Sequence, residues 1–321
     1  MTIKLKTVVL LCVFVLSLVS CSTETVKPTE ERSDALKNSK TVKATEEASS
    51  KENDALSSET DVAFSRGNDA LEKDDYATAF KSFRKAAEQG HAVAQNNLGS
   101  LYNSGKGVPQ NDEEAVKWYR KAADQGHAVA QNNLGNMYHF GKGVPQNDED
   151  AVKWYRKAAV QGHASAQLNL GARYYNGEGI TQNKPEAVKW FHKAAEQGDA
   201  QAQLNLGLIY AYGDGVSKNV QEAIKWTRKA ADQGNASAQL SLSLGMSYYN
   251  GEGITQNKPE AVKWFHKAAE QGDAQAQLNL GLIYANGDGV SKNDQEAIKW
   301  TRKAADQGSA DAQNLLKQWG R

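Results

Sequence analysis

Residues 91–126, with the sequence HAVAQNNLGSLYNSGKGVPQNDEEAVKWYRKAADQG, contain the pattern that decides the fold. Its landmarks are Ala-x-Ala-Gln, Leu-Gly, Tyr, Gly-x-Gly, an acidic residue before Ala-Val-Lys-Trp or Ala-Ile-Lys-Trp, and Lys-Ala-Ala-x-Gln-Gly. The chain carries this pattern at residues 91–126, 127–162, 163–198, 199–234, 235–272 and 273–308. Self-similarity at a period of 36 residues predicts an array in which each copy is one supersecondary unit.

The first half of each copy has the apolar spacing of a helix. In the first copy, Leu98 and Leu101 share one helix face with Ala94. Gly99 lies inside this helix, where glycine costs about 1 kcal/mol relative to alanine. Its return in every full copy predicts that another backbone passes too close for a Cβ atom. The Gly-x-Gly pair that follows, Gly105 and Gly107 in this copy, predicts the end of the helix with positive φ angles.

The second half of each copy predicts a second amphipathic helix. Asn111 is placed to cap its start, and Gly126 is placed to end it in a left-handed conformation. The predicted buried stripe consists of Ala115, Trp118, Tyr119 and Ala122. Two helices leave too much apolar surface exposed to be stable alone, so neighbouring copies must stack. The sequence therefore predicts an all-α solenoid of helix-turn-helix repeats.

Two partial copies flank the array, and one full copy departs from the period. Residues 61–90 read as a lead repeat without the Gly-x-Gly loop, and residues 309–321 as a capping helix. The stretch 236–245 has two residues more than the equivalent part of the other copies. Because two residues correspond to about 200° of helix rotation, we expect them to be absorbed at the helix start or in a bulge. A bend between the fourth and fifth copies is the expected consequence.

The repeat resembles the Sel-one-like family, a relative of the tetratricopeptide repeats, over some four-fifths of the chain. This resemblance implies a right-handed solenoid that binds proteins, with the first helix of each copy lining a concave face. One branch of that family staples its helices with disulfides. Here the only cysteines are Cys12 and Cys21, so the copies must be held by packing alone.

The first 20 residues read as a secretory signal. The apolar run from Val8 to Val19 is too short to span a bilayer, which takes about 20 residues as a helix. Its end, Leu18-Val19-Ser20-Cys21, resembles the lipobox of bacterial lipoproteins, which implies that Cys21 is acylated. Ser22 after the cysteine points to the outer membrane in the same family. An ordinary signal with a chance cysteine is the alternative.

Residues 21–60 are predicted to be a disordered tether that begins with the lipidated cysteine. They are rich in Ser, Thr, Glu, Lys and Ala and have almost no aromatic residues. Such a segment buries too little apolar surface to offset its chain entropy. A folded helix is the alternative, and the missing apolar stripe argues against it.

No motif in the chain predicts catalysis, a metal site or a cofactor. HExxH, GxSxG and paired CxxC motifs are absent, and no nucleophile stands beside a base. His91, His127 and His163 recur at one repeat position, and they are interpreted as exposed turn residues instead of a metal ladder, because stacked helices keep equivalent positions about 10 Å apart. The net charge of zero argues against nucleic acid as a partner.

The predicted partner-binding positions are the variable ones on the first helices. They are polar in the early copies and more apolar later on. These positions are Asn96, Ser100, Asn103, Asn132, Asn136, His139, Tyr175, Leu204, Leu208, Met246 and Tyr249. Amides can hydrogen-bond an extended peptide, and leucine, methionine and tyrosine can receive apolar anchors. Alternatively, the later leucines, such as Leu168, pack between helices.

These observations predict a protein–protein interaction scaffold in the cell envelope, held by a lipid anchor and bound to envelope or host proteins. The alternative is a module that binds peptidoglycan or exopolysaccharide. A hydrolase resembling the β-lactamase-labelled relatives is a third interpretation, and it lacks a candidate nucleophile.

Overall fold

The computed structural model describes residues 45–234 and 238–320, and all regular structure in these residues is α-helical. The predicted signal peptide and Cys21 lie outside the described residues. The helices are α1 (Thr45–Glu72), α2 (Tyr76–Glu88), α3 (Ala92–Ser104), α4 (Asp112–Asp124), α5 (Ala128–Phe140), α6 (Asp148–Val160), α7 (Ala164–Asn176), α8 (Lys184–Glu196), α9 (Ala200–Tyr212), α10 (Val220–Asp232), α11 (Ala238–Asn250), α12 (Lys258–Glu270), α13 (Ala274–Asn286), α14 (Asp294–Asp306) and α15 (Ala310–Gln318). The predicted all-α repeat fold is confirmed.

The described residues form two compact units. The N-terminal unit contains residues 45–182, with α1 to α7, and the C-terminal unit contains residues 183–320, with α8 to α15. Within each unit, every helix packs against its neighbours in the chain. The capping helix predicted in 309–321 is α15, which packs against α14.

The tether prediction is wrong for its last part, because α1 begins at Thr45 and not after residue 60. Its C-terminal half packs against α2, with Ala63 and Ala70 in one core with Phe83. Glu59 also forms an ion pair with Lys85 of α2 at 3.0 Å. Once a packed segment has nucleated a helix, each further residue adds a hydrogen bond at little cost, so the helix extends into a polar sequence.

Capping side chains recur at fixed positions of the repeat, one for each helix start. First helices are capped by a side chain that accepts a hydrogen bond from a backbone N–H three residues on, supplied by His91, His127, His163, Asp199, Asp273 and Ser309. Second helices from α4 onward use asparagine at this place, and the prediction for Asn111 is confirmed. Because these caps satisfy backbone groups that would otherwise be unpaired, helix boundaries recur at the same repeat positions.

The repeat glycines have two roles: those inside the first helices allow close packing, and those in the loops adopt positive φ angles. A Cβ atom on Gly99 would lie 2.8 Å from the ring of Tyr119 and 3.2 Å from the backbone oxygen of Ala115, so the close neighbour is first a ring and then a backbone. Gly107 has a φ of +72°, as predicted, and a Cβ atom there would lie 2.2 Å from the backbone oxygen of Tyr76. The same holds for Gly143 and Gly179, so the loops of the first three copies lie directly on backbone.

The recurring tryptophans pack in the helix layers, as the apolar stripe predicts. Trp226, Trp264 and Trp300 are buried in the C-terminal unit. Trp118 and Trp154 of the N-terminal unit are half-buried, and a lysine one turn later lies over each ring. The Trp118 and Trp154 rings thus pack against the core, and each also contacts a lysine ammonium group.

The two additional residues of the fifth copy fall before α11. Five residues separate α10 from α11, whereas three separate α8 from α9, and α11 keeps the regular length of 13 residues. This agrees with absorption at the helix start, although residues 235–237 themselves lie outside the description. The shift brings Ser241 to the place that a buried glutamine holds in the other copies, and contact between α10 and α11 is sparse.

Candidate partner-binding faces

Beneath the face of the first helices, paired glutamines join successive helices. The Gln95 amide donates to the backbone oxygen of Ala87 at 3.0 Å, and Gln125 donates to the Gln95 side-chain oxygen at 2.7 Å. We call this arrangement the amide clamp. It recurs at Gln131 and Gln161, Gln203 and Gln233, and Gln277 and Gln307. The first glutamine of each clamp is buried and hydrogen-bonded within the fold, so it is not open to a partner.

Asparagines of the N-terminal unit form a second internal row. The Asn133 amide donates to Asn96 at 3.0 Å, and the Asn169 amide donates to Asn132 at 3.0 Å. Asn96 and Asn132 are only 6% and 7% exposed. This corrects the prediction for both residues, because a buried amide that accepts from a neighbouring repeat is not open to a partner.

Buried tyrosines hold the next pair of predicted residues. The Tyr119 hydroxyl donates to Ser100 at 3.2 Å, and the Tyr155 hydroxyl donates to Asn136 at 2.7 Å. Burial raises the pKa of Tyr119 to about 12 and also raises the pKa of Tyr155, so both stay protonated donors at neutral pH. Ser100 and Asn136 are half-buried, and each keeps part of its side chain at the surface.

His139 belongs to a charged cluster that the sequence does not reveal. Its Nδ1 lies 2.6 Å from a carboxylate oxygen of Asp148 and 2.9 Å from a guanidinium nitrogen of Arg173. Arg173 also pairs with Glu178 and is 7% exposed at its side chain. At the equivalent position of the preceding copy, the Asn103 amide donates to the carboxylate of Asp112 at 2.9 Å. Both predicted residues are half-buried and anchored by an acidic residue at the start of a second helix.

Arg173 is charged, whereas the equivalent position is apolar in four of the other five full copies and is Ser247 in the fifth copy. Leu101, Met137, Ile209 and Ile283 are the buried equivalents elsewhere. Its Nε atom has no hydrogen-bond partner among the described residues. Burying a charge is costly unless it is paired, so Asp148 and Glu178 are needed to hold the guanidinium there.

The C-terminal unit presents apolar side chains at the predicted positions. Leu204 and Leu208 are half-buried on α9, one turn apart, and Tyr212 one turn further on is 74% exposed. These three residues form one stripe along the helix. Met246 on α11 is half-buried, and its sulfur accepts from the Asn279 amide at 3.6 Å.

Tyr249 is tied into an ionic contact with the following repeat. Its hydroxyl donates to Asp288 at 2.7 Å, and Lys258 donates to the other oxygen of the same carboxylate at 2.7 Å. The hydrogen bond from Lys258, followed by that from Tyr249, lowers the pKa of Asp288. Burial, together with the Asp288 carboxylate, raises the pKa of Tyr249. An equivalent bond joins Lys184 to Asp214 at 2.6 Å.

Tyr175 and Leu168 are buried, with 8% exposure each. The prediction that Tyr175 receives a partner is corrected, because too little of its ring is open for contact. For Leu168 the alternative of packing within the fold is the one that the burial supports. Leu278 is buried in the same way, at 6% exposure.

The histidines of the described repeats do not form a metal site. No group of three or more metal-ligating side chains gathers within the described residues. His91 and His127 accept from the N–H groups of Ala94 and Ala130 at 3.1 and 3.2 Å, so they are half-buried caps instead of exposed turn residues.

Sequence reasoning missed the charged partners of the predicted residues. Asp148 and Lys258 looked like helix-start residues, and Asp288 like part of a loop. Arg173 carried a usable signal, because four of the other five full copies have an apolar residue at its repeat position. Contacts across repeats do not follow from one copy of the pattern, so the ion pairs had no sequence signal.

The Sel1 repeat family profile matches the chain seven times, at residues 57–91, 92–127, 128–163, 164–199, 200–235, 236–273 and 274–309. Residues 61–90, read as a shorter lead repeat, thus fall in a family repeat. No curated protein matches the chain. None of the described helices has the length and apolarity needed to cross a membrane.

Two solved structures are similar in fold and sequence. A protective antigen of uropathogenic Escherichia coli strains, with an SLR fold, gives a TM-score of 0.74 at 39% identity. That match covers 83% of this chain and 57% of the antigen, so this chain spans less than two thirds of the antigen's length. A Sel1 repeat protein from Oxalobacter formigenes gives a TM-score of 0.61 at 37% identity, over 75% of this chain and 98% of that one. The chain belongs to the Sel1 repeat family.

Proposed function

We propose that the chain is a scaffold of the cell envelope that binds a protein partner along the face of its first helices. Sel1 repeat proteins generally mediate protein–protein interaction, which supports a binding function. We infer the envelope location from the signal-like first 20 residues and from Cys21 in its lipobox-like setting.

One repeat position carries the proposal. It is half-buried in five copies, where it is occupied by Ser100, Asn136, Leu208, Met246 and Leu282. The residues that build the fold, such as the clamp glutamines and the loop glycines, are nearly the same from copy to copy. Ala172 of the third copy is buried at this position. A position that is partly exposed in five of six copies while its chemistry changes is suited to recognition, since packing does not determine its identity.

The two units support different contacts. Ser100, Asn103, Asn136 and His139 give the N-terminal unit half-exposed polar groups that suit the backbone of an extended peptide. Leu204, Leu208 and Met246 give the C-terminal unit half-exposed apolar groups that suit aliphatic or aromatic anchors. A partner segment for the C-terminal unit should therefore contain apolar side chains.

The test is affinity capture from detergent-solubilised envelope with the mature chain as bait. The comparison bait is the double variant Leu208→Asn and Met246→Asn, which installs the residue that Asn136 already provides at this position. A matched control is Lys263→Ala, an exposed change on a second helix. Circular dichroism establishes that all baits are folded.

A protein retained by the native and control baits and lost by the double variant is the expected result. Equal retention by all three baits would show that this face is not the binding site. Retention of purified peptidoglycan or exopolysaccharide without any protein would favour the glycan module instead.

A further inference from the structure

We propose that a second groove, formed by α6 and the loop after α7, binds an acidic protein segment. The segment would place an apolar side chain on Val160 and carboxylates on Arg156 and Lys157. This groove lies on a second helix, so the inference goes beyond the first-helix face and does not depend on it.

The groove is a depression that is open to solvent and has a mixed lining. Its volume is about 610 Å³, large enough for several side chains, and it lies wholly within the N-terminal unit. Val152, Val160 and Ile180 give it an apolar floor, and Arg156 and Lys157 stand along it with Lys153. Glu149 is its one acidic lining residue.

Val160 is the residue that sets this repeat apart. It is 68% exposed, although valine is an apolar side chain that usually lies inside. Its equivalents in the other copies are acidic: Asp124, Glu196, Asp232, Glu270 and Asp306. The change therefore removes a carboxylate and adds exposed apolar surface at the same place.

The two cations beside Val160 are held by aromatic groups instead of carboxylates. The Arg156 guanidinium donates to the Tyr174 hydroxyl at 2.9 Å, and the Lys157 ammonium lies 3.9 Å from the centre of the Trp154 ring. Neither forms an ion pair within the described ranges. Lys153, by contrast, is paired with Asp150 at 2.8 Å. Arg156 and Lys157 are thus oriented cations that still lack an anion.

The pairing of apolar surface with oriented cations selects the occupant. Carboxylates suit the guanidinium and ammonium groups, which form strong charge-assisted hydrogen bonds with them. An apolar side chain suits Val160 and Ile180, whose surface would be removed from water. A nucleic acid or an anionic glycan would meet the charge and leave the valine exposed. A protein segment with both kinds of side chain meets both demands.

The experiment uses a synthetic amphipathic peptide of about four helical turns, with leucine on one face and glutamate on the other. A second peptide has serine for leucine, and a third has glutamine for glutamate. Fluorescence anisotropy with the mature chain should show binding of the first peptide, weakened by added salt. Both altered peptides should bind at least about tenfold more weakly.

Val160→Asp restores the acidic residue type of the other copies, and it should reduce the affinity for the first peptide by about tenfold or more. Arg156→Gln with Lys157→Gln should weaken it similarly and reduce the dependence on salt. Asp124→Val is the matched gain-of-binding variant, because it places a valine beside Arg120 and Lys121 of α4. These two cations contact Tyr138 and Trp118 in the same way. It should add a second binding site per chain.

Three results would overturn the proposal. One is binding of the first peptide weaker than about 1 mM by the native chain. Another is unchanged binding by Val160→Asp. The last is a preference for phosphatidylglycerol vesicles over the peptide, which would assign the groove to a lipid surface. Leu208→Asn with Met246→Asn should leave peptide binding unchanged, so the two proposals fail separately.

Discussion

The side-chain amide of Gln161 donates to the side-chain oxygen of Gln131 at 2.7 Å, and Gln131 in turn donates to the backbone oxygen of Ala123 at 3.0 Å. This clamp links three consecutive helices of the N-terminal unit through a side chain that is 4% exposed. In the fifth copy Ser241 stands in the place of Gln131, and its hydroxyl is buried with no partner among the described residues. The fifth copy therefore has no buried glutamine at the place where Gln271, the equivalent of Gln161, would find one.

The difference makes a matched pair of substitutions. Gln161→Ala should reduce the free energy of unfolding by about 1 kcal/mol, because the buried oxygen of Gln131 loses its donor. Gln271→Ala should cost less than about 0.5 kcal/mol, since no clamp exists there to lose. Urea unfolding followed by circular dichroism measures both. Equal losses would mean that the clamp does not contribute to stability.

Gly135 gives a second prediction about stability. A Cβ atom there would lie 2.6 Å from the Tyr155 ring, which is buried. Gly135→Ala should destabilise the chain by about 2 kcal/mol through overpacking, although alanine is the better helix former. In a double-mutant cycle with Tyr155→Leu, the loss should be smaller than the sum of the single losses. Additive losses would show that the ring is not the obstacle.

The sequence predicted the fold because each repeat position has a physical role that recurs. Asn111 and its equivalents cap the second helix of every full copy, and Gly107 and its equivalents turn the loop before it. Six copies therefore supply the same evidence. The candidate faces were harder to predict. Asn132 and Ser100 both look polar and exposed on a helical projection. In the stacked array, however, Asn132 of α5 is buried and Ser100 of α3 is half-buried. Burial between repeats depends on geometry that one copy does not encode.

Arg173 gives a third prediction, concerning its buried charge. Arg173→Met installs the residue type of Met137 at the same repeat position, and it should change the free energy of unfolding by less than about 1 kcal/mol. Its partners Asp148 and Glu178 are partly exposed and can be hydrated when the guanidinium is gone. Arg173→Ala should instead cost about 2 to 3 kcal/mol, because it also leaves a cavity. Thermal and urea unfolding compare the two variants, and a larger loss for methionine than for alanine would contradict the prediction.

The last prediction concerns pH and the cap residue His127. Its Nδ1 accepts from the Ala130 N–H at 3.2 Å, which requires an unprotonated nitrogen. Burial, with smaller contributions from His163 and His91, lowers the pKa of His127 below its usual 6.5. The unfolded chain therefore binds a proton at a higher pH than the folded chain does. The stabilisation is complete above pH 6.5 and is lost as the pH falls through that value toward the lowered folded pKa.

His127→Asp is the matched variant, because Asp199 and Asp273 already cap first helices at the same position. An aspartate stays ionised at mildly acidic pH, so its cap persists where the histidine cap is lost. Between pH 7.5 and 5.5 the native chain should lose more unfolding free energy than the variant, by an amount bounded by the cap's worth of about 1 kcal/mol. Urea unfolding at the two pH values measures this difference. The same loss in both proteins would show that protonation of His127 does not govern the stability of α5.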